Sequence, residues 1–169
     1  PTHVAAIVTS TQPIVVERPT YFNAITGGAA GTVTGAASVV GSQALQSEWF
    51  FAEGYAGISA SGGVTQENLV ISNLDPGNKA ASVTINLEYL NGAKHPFTVP
   101  VPAHSQVVWD VNQLGTNPGS KEVSADVVAS GALVVVSRQM YFHYAHNLNG
   151  TTLQVVGGTE VTGQVGTYS

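Results

Sequence analysis

The chain has 169 residues and carries a formal net charge of -5, with only five Lys plus Arg, 9% charged residues and no cysteine. One good-sized domain, or a domain with an appendage, fits that length. The scarcity of basic residues argues against a nucleic-acid partner, and the absence of cysteine excludes both a disulfide framework and a thiolate metal site.

In chain order, His3–Ser10 and Ile14–Phe22 read as two strands joined by Thr11-Gln12-Pro13. Asn23–Gln46 is rich in Gly, Ala, Ser and Thr. It reads as a flexible linker, with Gly31–Thr34 and Ser38–Val40 as short strand candidates. Trp49–Tyr55, WFFAEGY, packs three aromatics before Ala-Glu-Gly. Glu67–Leu74 is a strand ended by the turn residues Asp75-Pro76-Gly77-Asn78. Ala81–Leu90 alternates cleanly, with Val83, Ile85, Leu87 and Tyr89 on one face. Asn91-Gly92 signals a hairpin into Lys94–Val101, whose prolines place it at an edge or a bulge. Ser105–Asn112 puts Val107, Trp109 and Val111 on one face, which makes Trp109 core rather than ligand platform. A loop with Asn117-Pro118-Gly119 leads to strands Glu122–Ser130 and Ala132–Phe142, and a last strand is expected at Thr151–Val156.

The chain repeats itself. Val123–Phe142 lies without a gap on His3–Phe22, 120 residues earlier, with eight of 20 positions identical, among them Arg18/Arg138, Tyr21/Tyr141 and Phe22/Phe142. The pattern predicts an all-β protein, an immunoglobulin-like antiparallel β-sandwich with a jelly roll as runner-up. It divides into residues 1–48, the tail of a preceding repeat acting as a strand-donating arm with a Gly-rich linker, and residues 49–169, the sandwich. The N-terminal pair is surplus to a domain that owns its own closing strands. It either adds to another subunit's sheet or folds back on its own sandwich, and the reach of Gly27–Gly41 favours donation to a copy, head to tail.

Candidate chemistry is sparse. Glu53, inside the aromatic run, and Arg138, inside an apolar strand, are expected to pair, or Glu53 to pair with Arg18, because buried charges are paired. Trp49, Phe51, Tyr21, Phe22, Tyr141 and Phe142 are expected structural or assembly residues. His143 and His146 have H-x-x-H spacing without the three or four ligands a zinc site needs. Neither a calcium loop, a nucleophile motif nor a phosphate loop is present, so no catalytic residue, metal or cofactor is expected. Asn149-Gly150-Thr151 is a possible glycosylation sequon. No apolar run reaches the ~20 residues of a membrane helix. Pro1 in first position, without a visible signal peptide, suggests a processed chain or an excised segment.

Trp49–Gly54, Leu69–Leu74, Val83–Leu87, Val101–Val107 and Val134–Phe142 together give the pattern W-[YF]-F-A-E-G … V-P-A-H-S-[RQ]-V … E-R-x-M-Y-F. In this the chain resembles a group of bacterial cell-surface repeats frequent in Chloroflexi and Actinobacteria. Ser137, where the N-terminal copy has Glu17, and Asp75, where Asn is usual, depart from it. The resemblance implies an extracellular array of sandwiches with no active site to carry over. The expected function is a non-enzymatic, self-assembling protomer of a filament, sheath or surface layer at the cell surface. The alternative is an adhesin module that binds surface glycans.

Overall fold

A computed structural model describes residues 4–25, 32–55, 57–58, 64–114 and 122–166. The strands are β1 (Glu17–Ile25), β2 (Thr32–Val40), β3 (Glu48–Phe51), β4 (Gly57–Ile58), β5 (Val64–Asn73), β6 (Ala81–Tyr89), β7 (Lys94–Val101), β8 (Ser105–Asp110), β9 (Val123–Ser130), β10 (Val135–Leu148) and β11 (Thr151–Thr162), with one 3-10 turn at Val111–Leu114. All pairings among the described residues are antiparallel. The fold is the antiparallel β-sandwich that the sequence predicts. One sheet runs β3-β9-β6-β7; the other runs β11-β10-β5, with β8 and the short β4 sharing the far side of β5.

Strict alternation builds the core. Val83, Ile85 and Leu87 of β6 point inward against Leu69 and Ile71 of β5 and Val127 of β9, and all six are sealed from solvent. Trp109 lies opposite Leu69 in the β5–β8 register and packs half-buried on that core, as its period-two neighbours require. Among the described residues β7 pairs only with β6, so its prolines sit on an edge where a missing N–H costs no ladder bond. Buried Asn73 closes the β5 end: its side-chain N–H group donates to the carbonyls of Lys79 (2.8 Å) and Val101 (3.1 Å), and its oxygen accepts from Asp75 N–H (3.2 Å).

The N-terminal segment differs from expectation in two respects. Residues 4–16 contain no strand, so the expected His3–Ser10 strand does not form over its described part, residues 4–10; a strand needs a partner, and this stretch has no ladder neighbour among the described residues. The Gly-rich stretch, in contrast, is not a tether over residues 32–40, where β2 forms one continuous nine-residue ladder with β1. That ladder explains the composition. Tyr21 pairs with Ala36 and Phe22 with Gly35, whereas Tyr141 pairs with Gly158 and Phe142 with Gly157. β2 is therefore the copy of β11, 122 residues earlier, with identity at Val33/Val155, Gly35/Gly157, Val39/Val161 and, just beyond the strand, Gly41/Gly163. A bond is copied too: Gly41 N–H donates to Val16 carbonyl at 2.9 Å and Gly163 N–H to Val136 carbonyl at 3.1 Å. The repeat thus spans a whole hairpin, β1–β2, equivalent to the closing hairpin β10–β11. The expected loop at Asn117-Pro118-Gly119 lies outside the described residues.

Candidate assembly interface and a charged cavity

The N-terminal hairpin folds back onto the closing hairpin of its own sandwich. One of its faces, with Thr20, Phe22, Val33, Ala37 and Val39, is buried or half-buried, while Tyr21, Ala36, Ser38 and Val40 on the other face are exposed. The covered face lies on the outer face of β10–β11. Arg18 forms an ion pair with Glu160, a residue otherwise removed from solvent. The same carboxylate accepts from Thr20 Oγ1 at 3.0 Å and from Gln139 Nε2 at 3.2 Å. Three donors on one buried carboxylate offset its desolvation.

Beside this polar cluster is an apolar one. The ring of Phe22 meets Tyr141 edge to face, 4.9 Å between centroids. It occupies space that only a glycine leaves open: a Cβ at Gly158 would lie 2.7 Å from the tip of the Phe22 ring, and one at Gly35 would lie 2.8 Å from it. Burial pushes the Tyr141 hydroxyl pKa up, with the Arg18 charge pulling against it. A Cβ at Gly35 would also lie 3.8 Å from Gly157 Cα, and Thr162 Oγ1 donates to Val40 carbonyl at 3.2 Å. Gly35 and Gly157 are equivalent positions, and so are Val40 and Thr162. Two equivalent pairs five residues apart along both strands mean that β2 runs parallel to β11 in register, one copy stacked on the other.

The Glu53 expectation is overturned. Glu53 is exposed and makes no ion pair among the described residues; Arg18 is taken by Glu160 instead. The buried acid near Arg138 is Glu67, 2% exposed, on the inward face of β5 with Leu69 and Ile71. Its Oε2 accepts from Tyr55 N–H at 2.7 Å, and a Cβ at Gly54 would lie 2.5 Å from that oxygen. The Ala-Glu-Gly of the aromatic run is thus built around Gly54, which leaves room for Glu67, rather than around Glu53. Burial pushes Glu67 up to about 7 from 4.5, with the Arg138 charge and the Tyr55 N–H opposing it. Burial also raises the pKa of Tyr89, and the Glu67 charge adds to the effect. Arg138 Nε is buried without a hydrogen-bond partner among the described residues. A cavity of about 650 Å³ opens here, lined by Glu53, Tyr55, Glu88, Tyr89, Arg138 and Met140 among others. Glu88 at its rim pairs with Lys94.

The other singled-out residues are framework. Trp49 is buried and its indole N–H donates to Val134 carbonyl at 3.0 Å, while the Phe51 ring lies against Gly163, where a Cβ would be 2.8 Å away. Phe142 packs over Gly157 and approaches Tyr144 at 6.0 Å. Asn149 sits exposed at the β10–β11 tip with φ 51°, next to Gly150 at φ 80°, the left-handed pair of a two-residue hairpin turn. His143 Nε2 and Gln154 Oε1 are 3.0 Å apart across the same hairpin. Sequence reading missed Glu160 and Glu67. For Glu67 the signal was present, an acid alternating with Leu69 and Ile71 on one strand face; for Glu160 no local signal existed.

No protein-family model matches the chain, and no curated protein matches it. Among solved structures it is similar to Thermotoga maritima 1070, at 19% identity and TM-score 0.48, covering 70% of this chain and 93% of that one. It is also similar to the Anabaena sensory rhodopsin transducer, at 21% identity and TM-score 0.43, covering 58% of this chain and 91% of that one.

Proposed function

We propose that this chain is a non-enzymatic structural protomer of an extracellular assembly, a filament, sheath or surface layer, in which β-sandwich repeats are joined by stacked hairpins. The observation that supports this reading is the in-register stack of β1–β2 on β10–β11, a contact between two copies of one element. The stack forms within one chain, β1–β2 against β10–β11; the same heterologous contact repeated between successive repeats of an array would join them in line. The surface poor in charge and the resemblance to bacterial cell-surface repeats agree with life packed against neighbours outside the cell. In this reading Glu67, accepting from Tyr55 N–H, belongs to the framework of the sandwich, and the exposed Asn149 tip faces solvent. Electron microscopy of the purified chain tests the proposal: regular fibres or sheets are expected.

The adhesin reading has one observation in its favour. Tyr89, His95, Phe97 and Trp109 form a continuous aromatic row reaching edge strand β7, with the His95 and Phe97 rings stacked 11° from parallel. A chain that stays monomeric, and whose tryptophan emission shifts when glycans are added, would replace the structural reading with this one.

A further inference from the structure

The arm at residues 4–16 has the composition of a core strand and the exposure of a loop. Ile7 and Ile14 are 69% and 54% exposed, whereas their copies in the sandwich, Val127 and Val134, are 0% exposed. Exposed large apolar side chains at the very positions a repeat buries indicate an interaction surface. The edge of the adjoining hairpin is equally unsatisfied. Among the described residues β1 pairs with β2 alone, whereas its copy β10 is held between β11 and β5.

We infer that the arm and the free edge of β1 are the closing strands of a second β-sandwich, and that they dock on the opening half of a neighbouring repeat, a sheet segment equivalent to residues 48–112. The inference rests on the stacked-repeat reading above and names the partner of its N-terminal end. The register identifies that partner. In the sandwich of this chain, β9 lies between β3 and β6, with Val127 opposite both Trp49 and Ile85, and β10 lies beside β5. Each neighbour missing from the arm and from β1 therefore corresponds to a strand in the one stretch from β3 to β8. Main-chain ladder bonds would supply affinity, and pockets for Ile7 and Ile14 would supply the register.

Docking on β10–β11 does not compete with this. The hairpin stacks through Arg18, Thr20 and Phe22, and the copies of the first two, Arg138 and Met140, line an open cavity rather than the sealed core. The core-type positions, Ile7, Ile14 and Val16, precede that contact in the chain.

The test is amide hydrogen exchange on the full chain and on the same chain extended ahead of Pro1 by a second copy of residues 48–120, the stretch that the 120-residue repeat places before it. Amides of residues 5–25 should exchange at least a hundredfold more slowly in the extended chain. Ile7→Asp should abolish that gain while leaving β9–β11 protected. Unchanged exchange over residues 5–16 in the extended chain overturns the inference. So does concentration-dependent protection of the arm in the unextended chain, which would assign it to an intact second copy. Protection over residues 32–40 reports the hairpin stack separately: if it persists while the arm stays labile, only this inference falls, and if it too is absent, the stacked-repeat reading falls with it.

Discussion

The two hairpins share one design and have opposite outer faces. On β10–β11 the outer face presents Gly158 and Glu160, a space for an aromatic ring and an acceptor for an arginine. On β1–β2 the equivalent positions are Ala36 and Ser38. A methyl fills the space and a hydroxyl replaces the carboxylate, so the N-terminal hairpin can sit on its copy but offers no equivalent seat to a third. The two hairpins thus share a strand pattern and differ at the two positions that seat Phe22 and Arg18. Their arginines differ in the same way. Arg18 holds Glu160 directly, whereas Arg138 stands near a buried Glu67 that it only partly stabilises as an anion.

Giving the closing hairpin the outer face of its copy should have the largest effect. Gly158→Ala with Glu160→Ser is expected to release β1–β2 altogether, abolishing exchange protection over residues 32–40 while the sandwich still melts cooperatively. Retained protection would mean that the strand pattern, not the seat, decides docking.

The second arginine environment can be read by pH. A carboxyl whose pKa rises from 4.5 unfolded to about 7 folded binds more protons when folded between those values. Stability should therefore fall as pH rises from about 4.5 to 7, by on the order of 3 kcal/mol from this group. Glu67→Gln keeps an acceptor for Tyr55 N–H and should remove that slope in chemical denaturation, leaving the variant more stable than the parent at pH 8. An unchanged slope would show that Glu67 ionises freely.

Phe22→Ala should weaken hairpin docking by about 2 kcal/mol, below the usual cost for a fully buried ring because Phe22 is half-buried. Local exchange rates over β2 give the number. The neighbouring Tyr21, 83% exposed, is the control: Tyr21→Ala should change docking by no more than about 0.5 kcal/mol. If the two substitutions cost the same, the ring seat at Gly158 is not what holds the hairpin.

Much of the sandwich is written locally. β6, β7 and β9 follow from period-two alternation and turn residues, because an antiparallel strand with one buried face needs little else. The sequence copy of β9 and the start of β10 at the N-terminus is legible as well, since its apolar residues match those that β9 and β10 bury, although residues 4–16 form no strand. The copy of β11 in β2 is not. Its face needs small residues for close approach, so Gly, Ala, Ser and Thr replace one another, and the closing hairpin is two residues longer at its tip, which breaks the alignment. Glu53 was singled out because it stands among aromatics, but neighbours in sequence do not decide burial; the inward face of β5 does, and it holds Glu67.

The sequence by itself determined the strand alternation, the turns and the existence of a repeat, all of which depend on residues a few positions apart. Only the tertiary structure decided where the repeat goes. Arg18 and Glu160 are separated by 142 positions and Phe22 and Gly158 by nearly as many, and no local pattern constrains such pairs. Their meeting depends on how one folded hairpin fits the surface of another, a property of shape and charge that exists only once both hairpins have formed.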